Sequence, residues 1–429
     1  MNQGNFWFIR KLKKDGKEIN PEFVVIDEAD EFARAITQGF ELKNDERELM
    51  IERAQKQNPS IAELLRKMNR DEILAMNDSS DMLRQCLDLL FEVLQEQLQK
   101  LTERIVEIEG EIENASKKEK EKLKEDLVML RRIAERIRNK IEKVGFFRRN
   151  IDKVFVYMKK TSRNIYFEMF LSEEELITRL FRHVKKLCVV TATPFETEKF
   201  AKISYEIPFK ARVIYAPIGK LTCREIFFEG NTDLLEKAVT DYIIPIHEYV
   251  SSLLGLKAKT PIHCGSLQRH GTFVADILKN NGKSVILHEE GKLDKTIEMF
   301  RDGDYDFLCV VAAEYGGDWY WCPLQFVLKV PYANPHDPRE LAIKRRFGKE
   351  LQRKRYEWDA LSRLIQACGR NARKPEQFSV TIILDKKFEE LYHKYNAQIP
   401  SWFKKRLIWL GGVNGGGVDS GSEERTSAN

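Results

Sequence analysis

The sequence predicts an α/β protein built on parallel β-sheets, with a long helical hairpin added to it. Five short apolar runs end in polar or glycine residues, and they are Phe23–Ile26, Leu187–Val190, Phe307–Val311, Phe326–Val330 and Val380–Leu384. Such continuous runs are typical of strands that are covered on both faces. Helical patterns, as in Thr272–Asn280 and Leu361–Cys368, lie between them, which indicates crossover connections. A separate segment, from Leu83 to Val144, has a near-heptad apolar repeat.

The near-heptad repeat predicts an antiparallel coiled-coil hairpin. One apolar run extends from Leu83 to Ile112 and a second from Leu123 to Val144. The polar stretch between them contains Ser116 and Glu119, which have the spacing of a capping box. We therefore expect two helices of about thirty residues, each about 45 Å long. The apolar stripe is expected to be the seam between them.

The composition is that of a globular protein without a strong charge bias. Hydrophobic residues make up 42% of the 429 residues, and 72 Lys and Arg stand against 67 Asp and Glu. Any nucleic-acid surface must therefore be local. No apolar stretch approaches the ~20 residues of a membrane span, so we expect no membrane partner. The scattered cysteines favour a reducing cytoplasm and argue against zinc or an iron–sulfur cluster.

Two acidic residues follow the first apolar run directly. Asp27 and Glu28 are thereby expected at the carboxyl end of a buried strand, where open α/β sheets bind their ligands. ATP hydrolysis requires one carboxylate to hold Mg²⁺ and another to polarise the attacking water. Asp27 suits the first role and Glu28 the second. An ordinary solvated turn is the alternative.

Two further loops follow predicted strands. Thr191 and Thr193 lie in Thr191–Pro194, where their hydroxyl groups suit a water network that responds to a nucleotide, although a plain hydrogen-bonded corner has the same composition. In Glu314–Asp318 the paired glycines allow backbone to approach a ligand closely.

The segment Leu361–Arg373 carries the strongest signal. Placed on a helix, Gln366, Arg370 and Arg373 share one face at i, i+4 and i+7, opposite the apolar stripe. Two guanidinium groups and an amide on one face suit a polyphosphate. Gly369 in the middle of this helix would indicate close approach of a ligand or another backbone.

A basic segment precedes that helix. Residues 339–355 contain eight basic residues against two acidic ones, with aromatic residues within or just beyond the segment. Basic side chains neutralise phosphates and aromatic rings stack on unpaired bases, so this stretch is a candidate for single-stranded nucleic acid. A solvated basic helix is the alternative. The candidate binding residues are Lys344, Arg345, Arg346 and Arg353.

Taken in order, these segments resemble known motifs. V-V-I-D-E-A-D, T-A-T-P, C-G-S, E-Y-G-G-D and Q-A-C-G-R-N-A-R resemble motifs II to VI of superfamily 2 helicases. The stretches Lys329–Arg339 and Leu384–Trp402 resemble the C-terminal helicase domain of the XPD/DinG branch. The resemblance covers residues 23–30 and roughly 185–405. Asp30 stands where members of this branch usually have histidine, and T-A-T-P departs from the more frequent S-A-T-L.

The resemblance implies an ATP-dependent 5′-to-3′ DNA translocase with two RecA-like lobes, ATP and Mg²⁺ between them, and single-stranded DNA across both. Asp27 then matches the Mg²⁺ ligand and Glu28 the water-activating acid. Motif VI, matched by Gln366, Arg370 and Arg373, supplies phosphate sensors and the arginine finger. Motif V, matched by Glu314, Gly317 and Asp318, contacts the nucleotide. Motif III, matched by Thr191 and Thr193, couples the nucleotide to its partner, and the motif IV region, with Ser266, contacts nucleic acid.

With the resemblance, the chain is predicted to divide into five regions. They are a partial first RecA-like lobe with motif II (1–45), a helical arch-like insertion (46–150), the rest of the first lobe with motif III (151–204), a second RecA-like domain with motifs IV to VI (205–410) and a disordered tail (411–429).

The sequence contains no phosphate-binding loop of the form G-x-x-x-x-G-K-[ST]. Because that loop binds the β- and γ-phosphates, we expect the isolated chain to hydrolyse ATP negligibly. Three interpretations stay open. The chain is one piece of a split or truncated helicase whose Walker A lobe comes from another polypeptide, a catalytically inactive nucleic-acid-binding or protein-interaction module derived from a helicase, or an unrelated interaction protein. We favour the first.

Overall fold

The computed structural model describes residues 13–14, 17–18, 23–26, 39–159, 164–171, 175, 186–189, 210–289, 292–311, 319–372 and 377–410. The chain divides into two compact units, the first formed by residues 1–200 and 333–355 and the second by 201–332 and 356–429. The segment 333–355, which lies within the predicted second RecA-like domain, packs in the first unit. The predicted division into five regions stays a prediction.

The described elements are numbered in chain order. The strands are β1 (Lys13–Lys14), β2 (Lys17–Glu18), β3 (Phe23–Ile26), β4 (Phe40–Leu42), β5 (Val154–Met158), β6 (Ile165–Met169), β7 (Lys186–Val189), β8 (Arg212–Gly219), β9 (Thr260–His263), β10 (Val285–Leu287), β11 (Phe307–Val310), β12 (Leu324–Val327), β13 (Val380–Asp385) and β14 (Leu407–Trp409). The helices are α1 (Asn44–Gln57), α2 (Pro59–Lys67), α3 (Arg70–Met76), α4 (Ser80–Asn114), α5 (Lys117–Arg149), α6 (Thr232–Lys237), α7 (Ile244–Leu254), α8 (Thr272–Asn280), α9 (Leu293–Asp302), α10 (Pro338–Phe347), α11 (Lys349–Cys368), α12 (Lys387–Lys394) and α13 (Ser401–Arg406).

The second unit contains the predicted parallel sheet. Its seven strands lie in the order β10-β11-β9-β12-β13-β8-β14, and every neighbouring pair is parallel. The predicted α/β fold class is confirmed, and the predicted strands at Phe307 and Val380 begin at those residues. The strand predicted from Phe326 to Val330 instead runs from Leu324 to Val327.

Side chains from both faces of this sheet are buried, as the continuous apolar runs predicted. Ile382 belongs to one core together with Val274 and Leu278 of α8. The next residue, Ile383, belongs to a second core with Leu361 and Leu364 of α11. Because successive strand residues point to opposite faces, one apolar strand serves both layers of helices.

The first unit combines a parallel strand pair, a small antiparallel sheet and long helices. Strands β3 and β7 are parallel neighbours, as the apolar runs predicted, but Phe23 and Val25 of β3 are exposed, so the expectation that β3 is covered on both faces is wrong. Strands β4, β6 and β5 form an antiparallel sheet that the sequence did not predict. Phe40 of β4 stacks on Phe167 of β6 with ring centroids 5.2 Å apart. Asn77, which follows α3, donates to the carbonyl of Val156 and accepts from its amide, both at 2.9 Å.

The two long helices predicted from the apolar repeat are present as α4 and α5. Every position of the predicted stripe from Leu83 to Val144 is buried or half-buried, as expected of a seam. The capping box is confirmed, because the Glu119 carboxylate accepts from the Ser116 amide at 3.0 Å. Arg131 of α5 pairs with Glu109 of α4 at 2.7 Å. Among the described helices, none has both the length and the apolar character needed to cross a lipid bilayer.

A half-buried lysine of α5 contacts the start of α1. Lys140 Nζ lies 2.5 Å from Oε2 of Glu46 and donates to the Glu41 carbonyl at 2.7 Å. Burial lowers the pKa of Lys140, and the charge of Glu46 opposes that shift. Lys143, one turn later, donates to the carbonyl of Gly39 at 2.8 Å. Lys140 therefore binds the backbone of β4, and Lys143 binds the backbone just before it.

Candidate functional site

The candidate site within the second unit lies at the carboxyl edge of its parallel sheet. In open α/β sheets ligands bind where the carboxyl ends of the strands meet. Here β9 leads to Ser266, β12 to Lys329, and β13 ends at Asp385. Strands β9, β12 and β13 are consecutive neighbours in the sheet, so these residues follow adjacent strand ends.

Gly265 lets the chain turn sharply between β9 and the following helix. It has a φ of 70°, in the left-handed region that favours glycine. A Cβ atom there would lie 3.1 Å from Cδ of Lys329, so a larger residue would also press on that side chain. The next residue is Ser266, which is half-buried and whose carbonyl accepts from the Gly271 amide at 2.8 Å.

Asp385 joins three loops at this edge. Its carboxylate is fully buried and accepts from the amides of Leu221 at 3.2 Å, Val330 at 3.0 Å and Lys387 at 3.0 Å. Burial raises the pKa of Asp385, while the three amides and the positive charge of Lys329 oppose the shift. A carboxylate with three backbone donors holds the loop ends in fixed positions.

The predicted helix Leu361–Arg373 is wrong at its end, because α11 stops at Cys368. Gln366 lies in the last turn of α11, whereas Arg370 lies in the turn that follows it. The amides of Gly369 and Arg370 bond to the carbonyls three residues earlier, at 3.0 and 3.1 Å. The predicted helical face therefore does not extend to Arg370, and Gly369 is not in the middle of a helix. Gln366 and Arg370 are both half-buried.

A buried polar network holds the turn that carries Arg370. The Gln325 amide nitrogen donates to Asn371 Oδ1 at 3.1 Å and to Thr381 Oγ1 at 2.7 Å. Asn371 in turn donates to the carbonyl of Val380 at 3.2 Å, and Trp319 donates to Gln325 Oε1 at 2.7 Å. These bonds connect the turn to β12 and β13 and thereby position its backbone.

His263 shows that the charge of Arg370 reaches this network. His263 Nε2 lies 3.3 Å from Gln325 Oε1. The pKa of His263 is lowered to about 4, chiefly by burial, and the positive charge of Arg370 contributes. His263 is therefore neutral at neutral pH.

Most of the other predicted site residues lie outside the part of the chain that the structure describes. They are Asp27, Glu28, Thr191, Thr193, Glu314, Gly317, Asp318 and Arg373. The expectation that Asp27 and Glu28 bind the same nucleotide as Arg370 and Arg373 therefore stays a prediction. Within the described ranges no three His, Cys, Asp or Glu side chains are grouped as metal ligands, and the predicted Mg²⁺ ligand is not among those residues.

The predicted nucleic-acid-binding arginines Arg345 and Arg346 make contacts within the first unit. Arg345 forms an ion pair with Asp78 at 2.5 Å. Arg346 donates to the Asn77 carbonyl at 3.1 Å and to Ser80 Oγ at 2.8 Å. Arg346 thereby acts as a structural donor, whereas Lys344 and Arg353 are exposed.

Another residue of the segment 333–355 explains why it packs in the first unit. Arg339 Nε donates to Glu168 Oε2 at 2.7 Å, and Tyr157 donates to Oε1 of the same carboxylate at 2.7 Å. Glu168 is buried, so it requires such partners.

The sequence analysis missed an exposed aromatic residue near Ser266. Phe228 is 73% exposed, and the Arg269 guanidinium lies 5.0 Å from the centre of its ring. Beside them is an open groove of about 290 Å³, lined by Phe227, Gln268, Arg269, Thr272, Phe273 and Asp276. The sequence signal was available, since Phe227 and Phe228 are adjacent in the stretch Arg224–Asn231, which otherwise contains mostly charged and polar residues.

Comparison with known proteins assigns one segment of the chain. Residues 262–406 match the family described as Helicase C-terminal domain. The predicted resemblance to a helicase is confirmed. The matched segment contains Ser266, Gln366, Arg370 and the Gln325 network.

Solved structures similar to this chain include three of XPD proteins. The chain is 14% identical to S. tokodaii Xpd4, with a TM-score of 0.46, 94% of this chain and 79% of that one covered. A structure described as XPD helicase is 14% identical to this chain, with a TM-score of 0.47, and the match covers 94% of this chain and 72% of that one. A structure of XPD in the apo state is 15% identical, with a TM-score of 0.41, and the match covers 94% of each chain. No curated protein sequence matched significantly.

Proposed function

We propose that the chain is a subunit or part of an ATP-dependent DNA helicase or translocase of the XPD/DinG type. The observation that carries the proposal is the helicase C-terminal domain at residues 262–406, in which Arg370 lies on a turn anchored by buried hydrogen bonds. ATP and Mg²⁺ are the proposed cofactors and single-stranded DNA the proposed track.

Arg370 is the proposed arginine finger. Its turn is held by Asn371, which is buried and hydrogen bonded to Gln325. A positive charge fixed before the ligand arrives stabilises a phosphoryl-transfer transition state without reorganisation. Gln366, one turn earlier on α11, is the proposed phosphate sensor. Asp27 and Glu28 are proposed to hold Mg²⁺ and to activate water.

Phe228 and Arg269 support single-stranded DNA as the polymer ligand. An exposed ring stacks on unpaired bases, and a neighbouring guanidinium neutralises a phosphate. Base stacking on an aromatic residue contributes about 1–3 kcal/mol. Phe228→Ala should therefore weaken binding to an oligothymidine by about 5-fold or more, measured by fluorescence anisotropy. Tyr249→Ala removes an aromatic ring that is 65% exposed on α7 and is the matched control.

ATP hydrolysis needs a phosphate-binding loop, and this sequence of 429 residues contains none of the form G-x-x-x-x-G-K-[ST]. We propose that a second polypeptide supplies it. The test measures phosphate release by the chain alone and after adding a purified helicase lobe that carries the loop, with single-stranded DNA present. Hydrolysis should require both polypeptides, and Arg370→Ala should reduce it by about 10³-fold or more. Arg301→Ala, which removes an exposed arginine paired with Asp302, should leave the rate unchanged.

The outcome that contradicts this proposal is specific. If no loop-bearing lobe restores hydrolysis, while the chain binds single strands with an affinity that depends on salt but not on ATP or on Glu28→Gln, the chain is an inactive nucleic-acid-binding module. That was the alternative interpretation of the sequence.

A further inference from the structure

Three side chains of the second unit meet beside the carboxyl edge of the sheet. Cys223 Sγ lies 3.6 Å from Nζ of Lys329 and 3.8 Å from Nδ1 of His270. Cys223 is half-buried, so reagents in solution reach it. Cys86, Cys264, Cys309, Cys322 and Cys368, by contrast, are buried.

The ammonium group of Lys329 is directed at this sulfur. Lys329 is only 7% exposed, and among the described residues Cys223 Sγ is the acceptor within hydrogen-bond distance of Nζ. An ammonium group has three donors, and a buried cation beside a sulfur atom stabilises the thiolate. The charge of Lys329 also opposes the rise in the pKa of Asp385 that burial causes.

His270 presents a hydrogen-bond acceptor to the Cys223 thiol. Its Nε2 lies 3.0 Å from the Leu221 carbonyl, which can only accept a hydrogen bond. Nε2 therefore carries the proton, and the lone pair of Nδ1 faces Cys223 Sγ. The pKa of His270 is lowered to about 4 by burial and by the charges of Lys329 and Arg269, so the ring is neutral at neutral pH.

We propose that Cys223 is a reactive cysteine, a site of oxidation by hydroperoxides and of modification by soft electrophiles. In the oxidation, the S–H proton passes to solvent water, and the thiolate beside Lys329 attacks the terminal hydroxyl oxygen of R–O–O–H. An S–O bond forms as the O–O bond breaks, and the leaving alkoxide takes up a proton from water. The net reaction is Cys–SH + ROOH → Cys–SOH + ROH, in which the sulfur is oxidised and the peroxide reduced.

Reactivity is measured on the full chain with iodoacetamide, following each cysteine by peptide mass spectrometry. Cys223 should react at least 10-fold faster than glutathione in the same buffer, and hydrogen peroxide followed by dimedone should label it. Lys329→Met should slow Cys223 at least 10-fold, and Lys329→Arg, which keeps the charge, should slow it less than 3-fold. Lys220→Met removes a nearby exposed lysine that pairs with Glu390 and should change nothing.

A rate at Cys223 no higher than that of glutathione overturns the proposal, and so does an unchanged rate in folded Lys329→Met. If circular dichroism shows that Lys329→Met is unfolded, the comparison of the native chain with glutathione decides alone. The proposal does not depend on ATP hydrolysis or on DNA binding.

Discussion

The side-chain amide of Gln325 donates to Asn371 Oδ1 at 3.1 Å, and this bond joins a central strand to the turn that carries Arg370. Gln325 is fully buried and lies between Trp319, which donates to it, and Thr381, which accepts from it. A fully satisfied polar network in a core specifies one arrangement of its members. The position of the proposed arginine finger therefore depends on a glutamine 45 residues earlier in the chain.

Gln325→Leu should destabilise the second unit and disorder that turn. The change leaves the Trp319 indole N–H without its acceptor and removes one of the two donors to Asn371 Oδ1, at a cost of about 1–3 kcal/mol in the free energy of unfolding. Urea unfolding monitored by tryptophan fluorescence measures it. Gln268→Leu alters an exposed glutamine and should change stability by less than about 0.5 kcal/mol. Equal midpoints for the two variants would show that the network does not stabilise the fold.

Lys140→Met should destabilise the first unit more than any loss of a surface ion pair. Glu46, which is 5% exposed, would keep a buried charge without its cation, and breaking such a pair costs about 3–5 kcal/mol. The matched control is Lys100→Met, because Lys100 pairs with Glu96 at the surface, where a pair contributes about 0–1 kcal/mol. Lys140→Met with Glu46→Leu should recover part of the loss. A double variant no more stable than Lys140→Met contradicts this account.

These interactions show which part of the structure could be predicted from the sequence. Apolar runs located strands such as Phe307–Val310, and Ser116 and Glu119 located a helix start, because those signals are local. The end of α11 was missed because the turn after it is held by hydrogen bonds of Asn371 that the local sequence does not reveal. Its partners are Gln325, which is remote in sequence, and Val380, which lies across a turn. The antiparallel sheet was missed for the same reason, since β4 pairs with residues more than a hundred positions later.

The candidate site was predicted in the same uneven way. Motif spacing identified the helicase domain, but it could not show that Arg346 donates to Asn77 and Ser80. A basic residue on a helix has the same local pattern whether it binds a phosphate or a distant carbonyl. The Lys329–Cys223–His270 cluster could not be predicted because its members come from three segments that are far apart in the sequence.

Acid should destabilise the second unit in part through His247. Burial lowers the pKa of His247 to about 4 from its ordinary 6.5, and Asp306 opposes the shift. The unfolded chain therefore takes up this proton first, so stability is complete above pH 6.5 and falls as the pH drops toward 4. The loss reaches about 2–3 kcal/mol for this group.

Urea unfolding between pH 7 and pH 4.5 tests this. His247→Gln should be less stable than the wild type at pH 7 but should lose less stability on acidification. His336→Gln removes an exposed histidine and should follow the wild-type curve. A His247→Gln curve parallel to that of the wild type would mean that protonation of His247 is not coupled to unfolding.

Arg346→Met and Lys344→Met should separate structural from ligand-binding positions on α10. Arg346 donates to two carbonyls and a hydroxyl group, those of Asn77, Ile151 and Ser80. Its loss leaves polar groups unpaired and should lower the free energy of unfolding by about 1–3 kcal/mol.

Lys344 is exposed, so Lys344→Met should leave stability unchanged. If single-stranded DNA passes along α10, this variant should weaken binding equally for all base sequences, because a lysine neutralises phosphate and does not read bases. It should also reduce the slope of log affinity against log salt by about 0.7, the value for one phosphate contact on a single strand. Titrations at four salt concentrations measure both quantities. A stable Arg346→Met variant with the weaker binding and the smaller slope would reverse the two assignments, because the guanidinium would then contact the DNA and not the protein.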